Sequence, residues 1–175
     1  MVNAIQMIQG FTGIYPAAQR LMFVVSAAAG TLSGVIGFYK LVSAGHGRGG
    51  THKEAFSWLI VGAVLIDLTW AMRQTTETFF PGSHPLEAMA YAHPSGNAAQ
   101  VLAQAAVGMM VLLGWGAGMR GAWLIHGTSH GKDTLFSGFT HLLAGGLLVN
   151  IVQVIGAVTT QLGLGTSWES TLGLH

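Results

Sequence analysis

The sequence predicts an all-α integral membrane fold in which four transmembrane helices form two tandem helical hairpins. Two observations support this prediction. Only 7% of the residues are charged and 51% are hydrophobic, whereas about 25% of residues are charged in ordinary soluble domains. Four apolar stretches are each long enough, at about 1.5 Å per helical residue, to approach the roughly 30 Å hydrocarbon core of a bilayer.

The first predicted hairpin covers residues 21–72 and follows a lead-in of residues 1–20, which is compatible with an interfacial helix. Its first span, 21–39, carries small residues at four-residue spacing, a pattern typical of close helix–helix contact in membranes. These residues are Ser26, Gly30 and Gly34, with Gly37 extending the strip. The second predicted span is 55–72.

The second predicted hairpin covers residues 98–163, after a polar connection, 73–97. Its first span runs from 98 to about 125, and its second lies within 140–165, where residues 142–162 include no ionisable side chain. The small residues predicted to pack here are Gly114, Gly118, Gly145 and Gly146. Residues 21–165 thus form a single transmembrane domain, with 166–175 as a short tail.

Three polar residues fall inside the predicted spans. Asn150 and Gln153 are three residues apart, so on a continuous helix they share a face and would hydrogen bond to a neighbouring helix. A carboxylate at the centre of a membrane helix costs about 2.5–3.5 kcal/mol. Asp67 lies near the end of its span, so an ion pair with Arg73 or a side chain that reaches the headgroups is favoured over a proton or ion relay.

The two hairpins resemble one another. In the second helix of each hairpin, the alignment that places Asp67 on Asn150 also places Gly62 on Gly145. In the first helix of each hairpin, a slightly smaller offset places Gly34 on Gly114 and Lys40 on Arg120. The difference between the two offsets predicts a loop three residues longer in the second half. Because each hairpin has two spans, the two hairpins would share one membrane orientation and form a parallel repeat.

Basic residues predict the orientation of the chain. The side with the two short loops carries five of them: Lys40, Arg48, Lys53, Arg120 and Lys132. The opposite side has Arg20 and Arg73, so the short loops are expected in the cytoplasm and both termini on the opposite side of the membrane. The basic loops are expected to contact lipid headgroups or cytoplasmic partners.

No catalytic, metal or cofactor site is predicted. The chain has no cysteine, which excludes disulfides and thiol chemistry. His126 and His130 are four residues apart, but the glycines around them predict a loop, where that spacing defines no face. No serine, histidine and carboxylate constellation stands out and no basic stripe exists, so neither an enzyme nor sequence-specific nucleic-acid binding is expected. A bound phospholipid is compatible with the fold.

The residues Gly114, Arg120, Gly121 and Trp123, followed by 140–146, 149–151 and 162–163, resemble the closing half of IcmC/DotE-type membrane proteins. Residues 34–45 and 59–65 are similar to the pattern that this family shares with the smaller IcmD/DotP type. The resemblance covers roughly residues 25–165. It implies a small component of a type IVB secretion or conjugative transfer apparatus, with no catalytic residues, that assembles with other subunits or with itself. It also implies a location in the bacterial inner membrane, where both termini would lie in the periplasm.

The sequence leaves two alternatives open. A pilin-like subunit would leave the membrane and polymerise into a tube with the basic loops lining its lumen. A small proton or ion channel or transporter would use Asp67.

Overall fold

The computed structural model describes residues 3–47, 51–78, 96–127 and 134–163, and regular structure in these ranges is entirely helical. The helices are α1 (Ala4–Thr12), α2 (Tyr15–Gly45), α3 (His52–Ile66), α4 (Leu68–Glu77), α5 (Ala98–Gly127), α6 (Leu135–Val149) and α7 (Ile151–Gln161). The tail 166–175 and residues 79–95 of the predicted connection lie outside the described residues, as do Arg48, His130 and Lys132.

Capping residues mark where several helices begin and end. Thr51 Oγ1 accepts a hydrogen bond from Glu54 N at 3.2 Å at the start of α3. Before α5, Asn97 N donates to Gln100 Oε1 and Gln100 N donates to Asn97 Oδ1, both at 3.0 Å. These bonds satisfy N–H groups that have no intrahelical partner in the first turn. Gly47 follows α2 with a φ of 67°, the left-handed conformation that commonly ends a helix.

Two antiparallel helix pairs, α2 with α3 and α5 with α6, form most of the molecule. In the first pair, Gly30 lies against Ile66 and Gly37 against Leu59. The helix ends that flank the two short loops lie on the same side of the molecule, where Ser57 lies near His126, while α1 packs against α5.

Two helices in the described ranges are long and apolar enough to cross a membrane, Ala4–Gly45 and α5. The first of these combines α1 and α2, which are joined by helical backbone at Gly13 and Ile14. The predicted lead-in is therefore helical. Pro16 does not interrupt it, because Pro16 lies in the first turn of α2, where the missing N–H costs little.

The other two predicted spans are bent. The pair α3–α4 bends by 89° at Asp67, and the pair α6–α7 bends by 81° at Asn150. The straight helices predicted over 55–72 and within 140–165 are therefore not formed. Each pair is apolar enough to cross a membrane only when its two helices are taken together, so the described chain has two candidate spans, or four if each bent pair crosses as one.

A buried cluster around Trp115 connects the two halves. Its members are Leu68, Met72, Val107, Val111, Trp115 and Val149. Because Leu68 directly follows the first bend and Val149 directly precedes the second, both bends lie against this core.

Candidate helix-packing and assembly site

In the first hairpin, α2 and α3 meet through backbone. A Cβ atom added at Gly30 would lie 2.6 Å from Ile66 N and 2.8 Å from Gly62 O, and one added at Gly62 would lie 2.9 Å from Gly34 N. At Gly37, a Cβ would lie 3.0 Å from Leu59 N. Any larger side chain at these positions would force the two helices apart.

Ser26 adds a hydrogen bond to the same contact. Its buried hydroxyl donates to Leu65 O at 2.6 Å, close to the bend, where helical carbonyls lose their own partners. Ser33, also buried on α2, donates instead within its own helix to Ala29 O at 2.8 Å. Ser26 therefore joins two helices, whereas Ser33 does not.

The second hairpin repeats these contacts. A Cβ at Gly114 would lie 2.8 Å from Gly145 O and 2.9 Å from Val149 N, and one at Gly145 would lie 2.9 Å from Gly118 N. Gly146, also predicted to pack, is buried on α6. A Cβ added at Gly121, which the small-residue spacing does not single out, would lie 2.8 Å from Leu142 N.

The contacts establish the register of the internal repeat. In the second helices the predicted alignment is correct, because Gly62 and Ile66 make the same contacts as Gly145 and Val149. In the first helices the predicted alignment of Gly34 with Gly114 is wrong by one helical turn. The matching positions are Gly30 with Gly114, Gly34 with Gly118, and Gly37 with Gly121. The connecting loop is consequently one residue shorter in the second half, not three residues longer.

The polar residues of the predicted spans lie at the bends. Asp67 is exposed, and its Oδ1 accepts from Trp70 N at 2.9 Å, so the carboxylate caps α4. Asn150 is buried at the equivalent position, and its Nδ2 donates to Gly146 O at 3.0 Å. Gln153 is exposed on α7, beyond the bend. Asn150 and Gln153 therefore do not share one face of a continuous helix.

The helix after the first bend packs across the second hairpin. Met72 on α4 is fully buried, and its Sδ would lie 2.7 Å from a Cβ at Gly118. Its Cε would lie 2.9 Å from a Cβ at Gly145. The glycines of the second hairpin thus form a hollow that Met72 fills, a role that the sequence does not indicate.

A seam of polar and aromatic side chains joins α3 to α5 near the loop end. Ser57 Oγ lies 3.2 Å from His126 Nδ1. The Trp58 ring lies 4.0 Å from the His126 ring and 6.2 Å from the Trp123 ring, centroid to centroid. His126, predicted in a loop, is instead buried in the last turn of α5. The seam and Met72 join the two halves together with α1 and α2, which also contact α5: Tyr15 Oη donates to Ala105 O at 3.2 Å, and the Phe23 ring lies 4.8 Å from the Trp115 ring.

The described basic residues are arranged in two ways. Lys40 forms an ion pair with Glu54 across the first hairpin, between partly buried side chains. Lys53 and Arg120 are exposed. Arg73, a predicted partner of Asp67, pairs with Glu77 at 2.6 Å. Lys53 and Arg120 therefore lie at the surface, whereas Lys40 and Arg73 form ion pairs.

No metal site appears in the part of the chain that the structure describes, where no three His, Asp or Glu residues are grouped as ligands. The two hairpins are built from equivalent backbone contacts between glycines. Comparison with known protein families, characterised proteins and solved structures finds no match to this chain.

Proposed function

We propose that the chain is a structural membrane subunit of a type IVB secretion or conjugative transfer apparatus, and that it acts by helix packing and by assembly with itself and other subunits. The observation that carries this proposal is the duplicated hairpin held together by backbone contact between glycines. The resemblance to IcmC/DotE-type proteins supplies the class of apparatus.

The distribution of charge supports a scaffold rather than a conduit. All eight charged side chains whose surroundings the structure describes are exposed or partly exposed. Proton and ion relays normally use several ionisable groups in the interior of a bundle. In the described ranges, the buried polar side chains are Thr12, Gln19, Ser26, Ser33, Gln104, His126 and Asn150.

The outer faces of the long helices support a location in lipid and among subunits. Large apolar side chains along α2 are between 48% and 66% exposed at Leu21, Val24, Val25 and Leu32. In water such a surface would drive aggregation, whereas lipid or another subunit would cover it.

We further propose that each bent pair crosses the membrane as one broken span, which gives four spans in two hairpins. At the first break, Asp67 Oδ1 accepts from Trp70 N and Ser26 donates to Leu65 O, so that side chains bond to backbone groups next to the break, as a break in lipid requires. The short loops then face the cytoplasm and the termini face the periplasm.

The absence of native cysteine makes this topology directly testable. Single Lys53→Cys and Asn97→Cys variants, expressed in bacteria, are treated with a membrane-impermeant maleimide before and after permeabilisation of the inner membrane. We expect Asn97→Cys to react in spheroplasts and Lys53→Cys only after permeabilisation. Equal reactivity in spheroplasts would contradict four spans with this orientation.

Affinity purification from native membranes tests the apparatus class. We expect the full chain, solubilised in mild detergent, to recover itself and other subunits of a transfer apparatus. Recovery as a monomer, without such subunits, from cells that carry an active transfer system would contradict the proposal.

The paired helix breaks favour one second candidate, ion or proton translocation. Interrupted helices at corresponding positions of two repeats are typical of transporter binding sites, and Asp67 lies at one such break. Proton flux in proteoliposomes that is lost in Asp67→Asn and retained in Asp67→Glu would establish this candidate.

A further inference from the structure

The contact between the two halves provides a template for a contact between two chains. Besides the contacts of α1 and α2 with α5, the first half contributes residues that follow α3 and enter α4; they are Ser57, Trp58, Val61, Leu65 and Met72. On the second half they follow α5; they are Gly118, Met119, Ala122, Trp123 and His126. We call the first set the donor face and the second the acceptor face.

Because the halves are repeats, the second half contains a counterpart of the donor face and the first half contains a counterpart of the acceptor face. In the register that matches Gly62 with Gly145, the second half has a donor face made of Thr140, His141, Ala144, Leu148 and Ile155. In the register that matches Gly30 with Gly114, the first half has an acceptor face made of Gly34, Val35, Phe38, Tyr39 and Val42. The chain therefore contains one used and one unused copy of each face.

The unused faces are open in the single chain. On the acceptor face, Val35, Phe38, Tyr39 and Val42 are between 61% and 74% exposed. On the donor face, none of the five residues is buried, and Ile155 is 38% exposed. The helix that carries Ile155, α7, has no buried residue, whereas its counterpart α4 buries Leu68 and Met72.

We propose that the donor face of one chain docks on the acceptor face of a second copy, in the same geometry as the internal contact. This inference rests on the proposed assembly role and names the surfaces that would perform it. Ile155, the counterpart of Met72, would enter the hollow at Gly34, the counterpart of Gly118. A Cβ at Gly34 has no heavy atom within 4 Å, so the hollow that Met72 fills at Gly118 is empty here.

The side-chain sizes in the two contacts are complementary. In the internal contact, Val61 packs against the fully buried Ala122. At the equivalent positions between copies, Ala144 would face Phe38. The larger residue is then on the acceptor face, whereas in the internal contact it is on the donor face. Close packing requires that opposing volumes be matched, and a large residue opposite a small one satisfies this in both contacts.

The symmetry of the assembly follows from the positions of the faces. The two unused faces belong to different halves of one chain, so the contact is head-to-tail. Head-to-tail contacts generate a ring if the rotation closes and an open helical filament if it does not. Both a membrane ring and a polymer are therefore compatible with this contact.

Cysteine cross-linking in native-lipid nanodiscs or isolated membranes tests the contact. The double variant Gly34→Cys/Ile155→Cys is oxidised with copper phenanthroline or treated with a short bis-thiol reagent. We expect a ladder of covalent oligomers from the double variant and dimers only from a mixture of the two single variants. Each single variant alone should remain monomeric, because head-to-tail contacts do not bring identical residues together.

A matched control is Leu32→Cys/Ile155→Cys, whose first cysteine lies on the same helix at a residue that is 65% exposed and outside the acceptor face. Equal cross-linking in this control, or efficient cross-linking of either single variant, would overturn the proposed contact. Native mass spectrometry of the unmodified chain separates this contact from the assembly role. Oligomers without a specific Gly34–Ile155 cross-link would overturn this contact alone, whereas a monomer in native lipid would overturn the proposed assembly role as well.

Discussion

A single methyl group at Gly114 tests whether backbone contact holds the second hairpin together. In Gly114→Ala, the new Cβ would lie 2.8 Å from Gly145 O and 2.9 Å from Val149 N, both of which are backbone atoms that cannot rotate away. Favourable contact between carbon atoms needs about 3.5–4.0 Å. The helices would have to separate by several tenths of an ångström, and overpacking of this kind costs about 1–3 kcal/mol.

The matched control is Gly116→Ala, two residues away on the same helix. A Cβ there meets no heavy atom within 4 Å. Both substitutions gain about 0.8–1.0 kcal/mol of helix propensity, so this contribution cancels in the comparison. A chain of this size shifts its Tm by about 2–4 °C per kcal/mol, so Gly114→Ala is expected to melt about 2–12 °C below Gly116→Ala.

Thermal unfolding of both variants in the same detergent, followed by near-UV circular dichroism, measures this difference. Gly30→Ala provides an independent repeat in the first hairpin, where the Cβ would lie 2.6 Å from Ile66 N. Equal melting temperatures for Gly114→Ala and Gly116→Ala would refute the claim that glycine contacts determine the packing of the hairpin.

Three further predictions use the same melting assay. Ser26→Ala removes a buried hydrogen bond between two helices and is expected to lower the free energy of unfolding by about 1–3 kcal/mol. Ser33→Ala should lose clearly less, because the Ser33 hydroxyl bonds within its own helix, and equal losses would contradict this reasoning. Asp67→Ala is expected to lower the free energy of unfolding by about 0.5–2 kcal/mol, because it removes the cap of α4. Asp67→Asn should lose less, because asparagine caps a helix as well as aspartate does. Similar losses in the two variants would show that the charge of Asp67 matters more than capping. Lys40→Glu is expected to lower the free energy of unfolding by about 0.2–1 kcal/mol at low salt. The double variant that also carries Glu54→Lys should regain this loss, and failure to regain it would show that the ion pair contributes nothing.

The membrane character and the importance of glycine could be predicted from the sequence because both depend on composition and local spacing. The register of the repeat could not be predicted fully. Glycines at four-residue spacing allow a slip of one helical turn in which glycine still matches glycine, so Gly34 aligns with Gly114 or Gly118 equally well by type. Only the contacts with Gly62 and Gly145 distinguish the two alignments.

The bends and the long-range contacts could not be predicted from the sequence either. Asp67 and Asn150 were predicted as polar residues within continuous spans, whereas the structure places them where helices end. Their equivalence was nevertheless visible, because the glycines that precede them align in the same register. Met72 and His126 contact residues that are distant in sequence, and neither contact has a local signature.

The internal seam and the proposed contact between copies differ in their polar groups, and this difference predicts their relative stability. Inside the chain, Ser57 Oγ lies within hydrogen-bond distance of His126. Between copies, the counterparts of these residues are Thr140 and Val42, which cannot form such a bond. The two halves of one chain are also tethered, which raises their effective concentration. The halves are therefore expected to stay docked while copies exchange.

Val42→His would give the contact between copies the polar pair that the internal seam has. A histidine there can donate a hydrogen bond to Thr140 Oγ1 of the next chain, because the Thr140 hydroxyl proton is donated to Phe136 O. A net gain of about 0.5–1.5 kcal/mol would slow dissociation by roughly twofold to twelvefold. Chains that carry two different fluorophores are mixed in lipid nanodiscs, and the rise of fluorescence energy transfer between them measures the rate of subunit exchange. Val25→His, at an exposed position of α2 outside the acceptor face, controls for adding a histidine to the helix surface. Slower exchange in Val42→His alone is expected, because only that position faces a hydroxyl of the next chain in the proposed geometry. The same rate in both variants would show that copies do not repeat the internal contact.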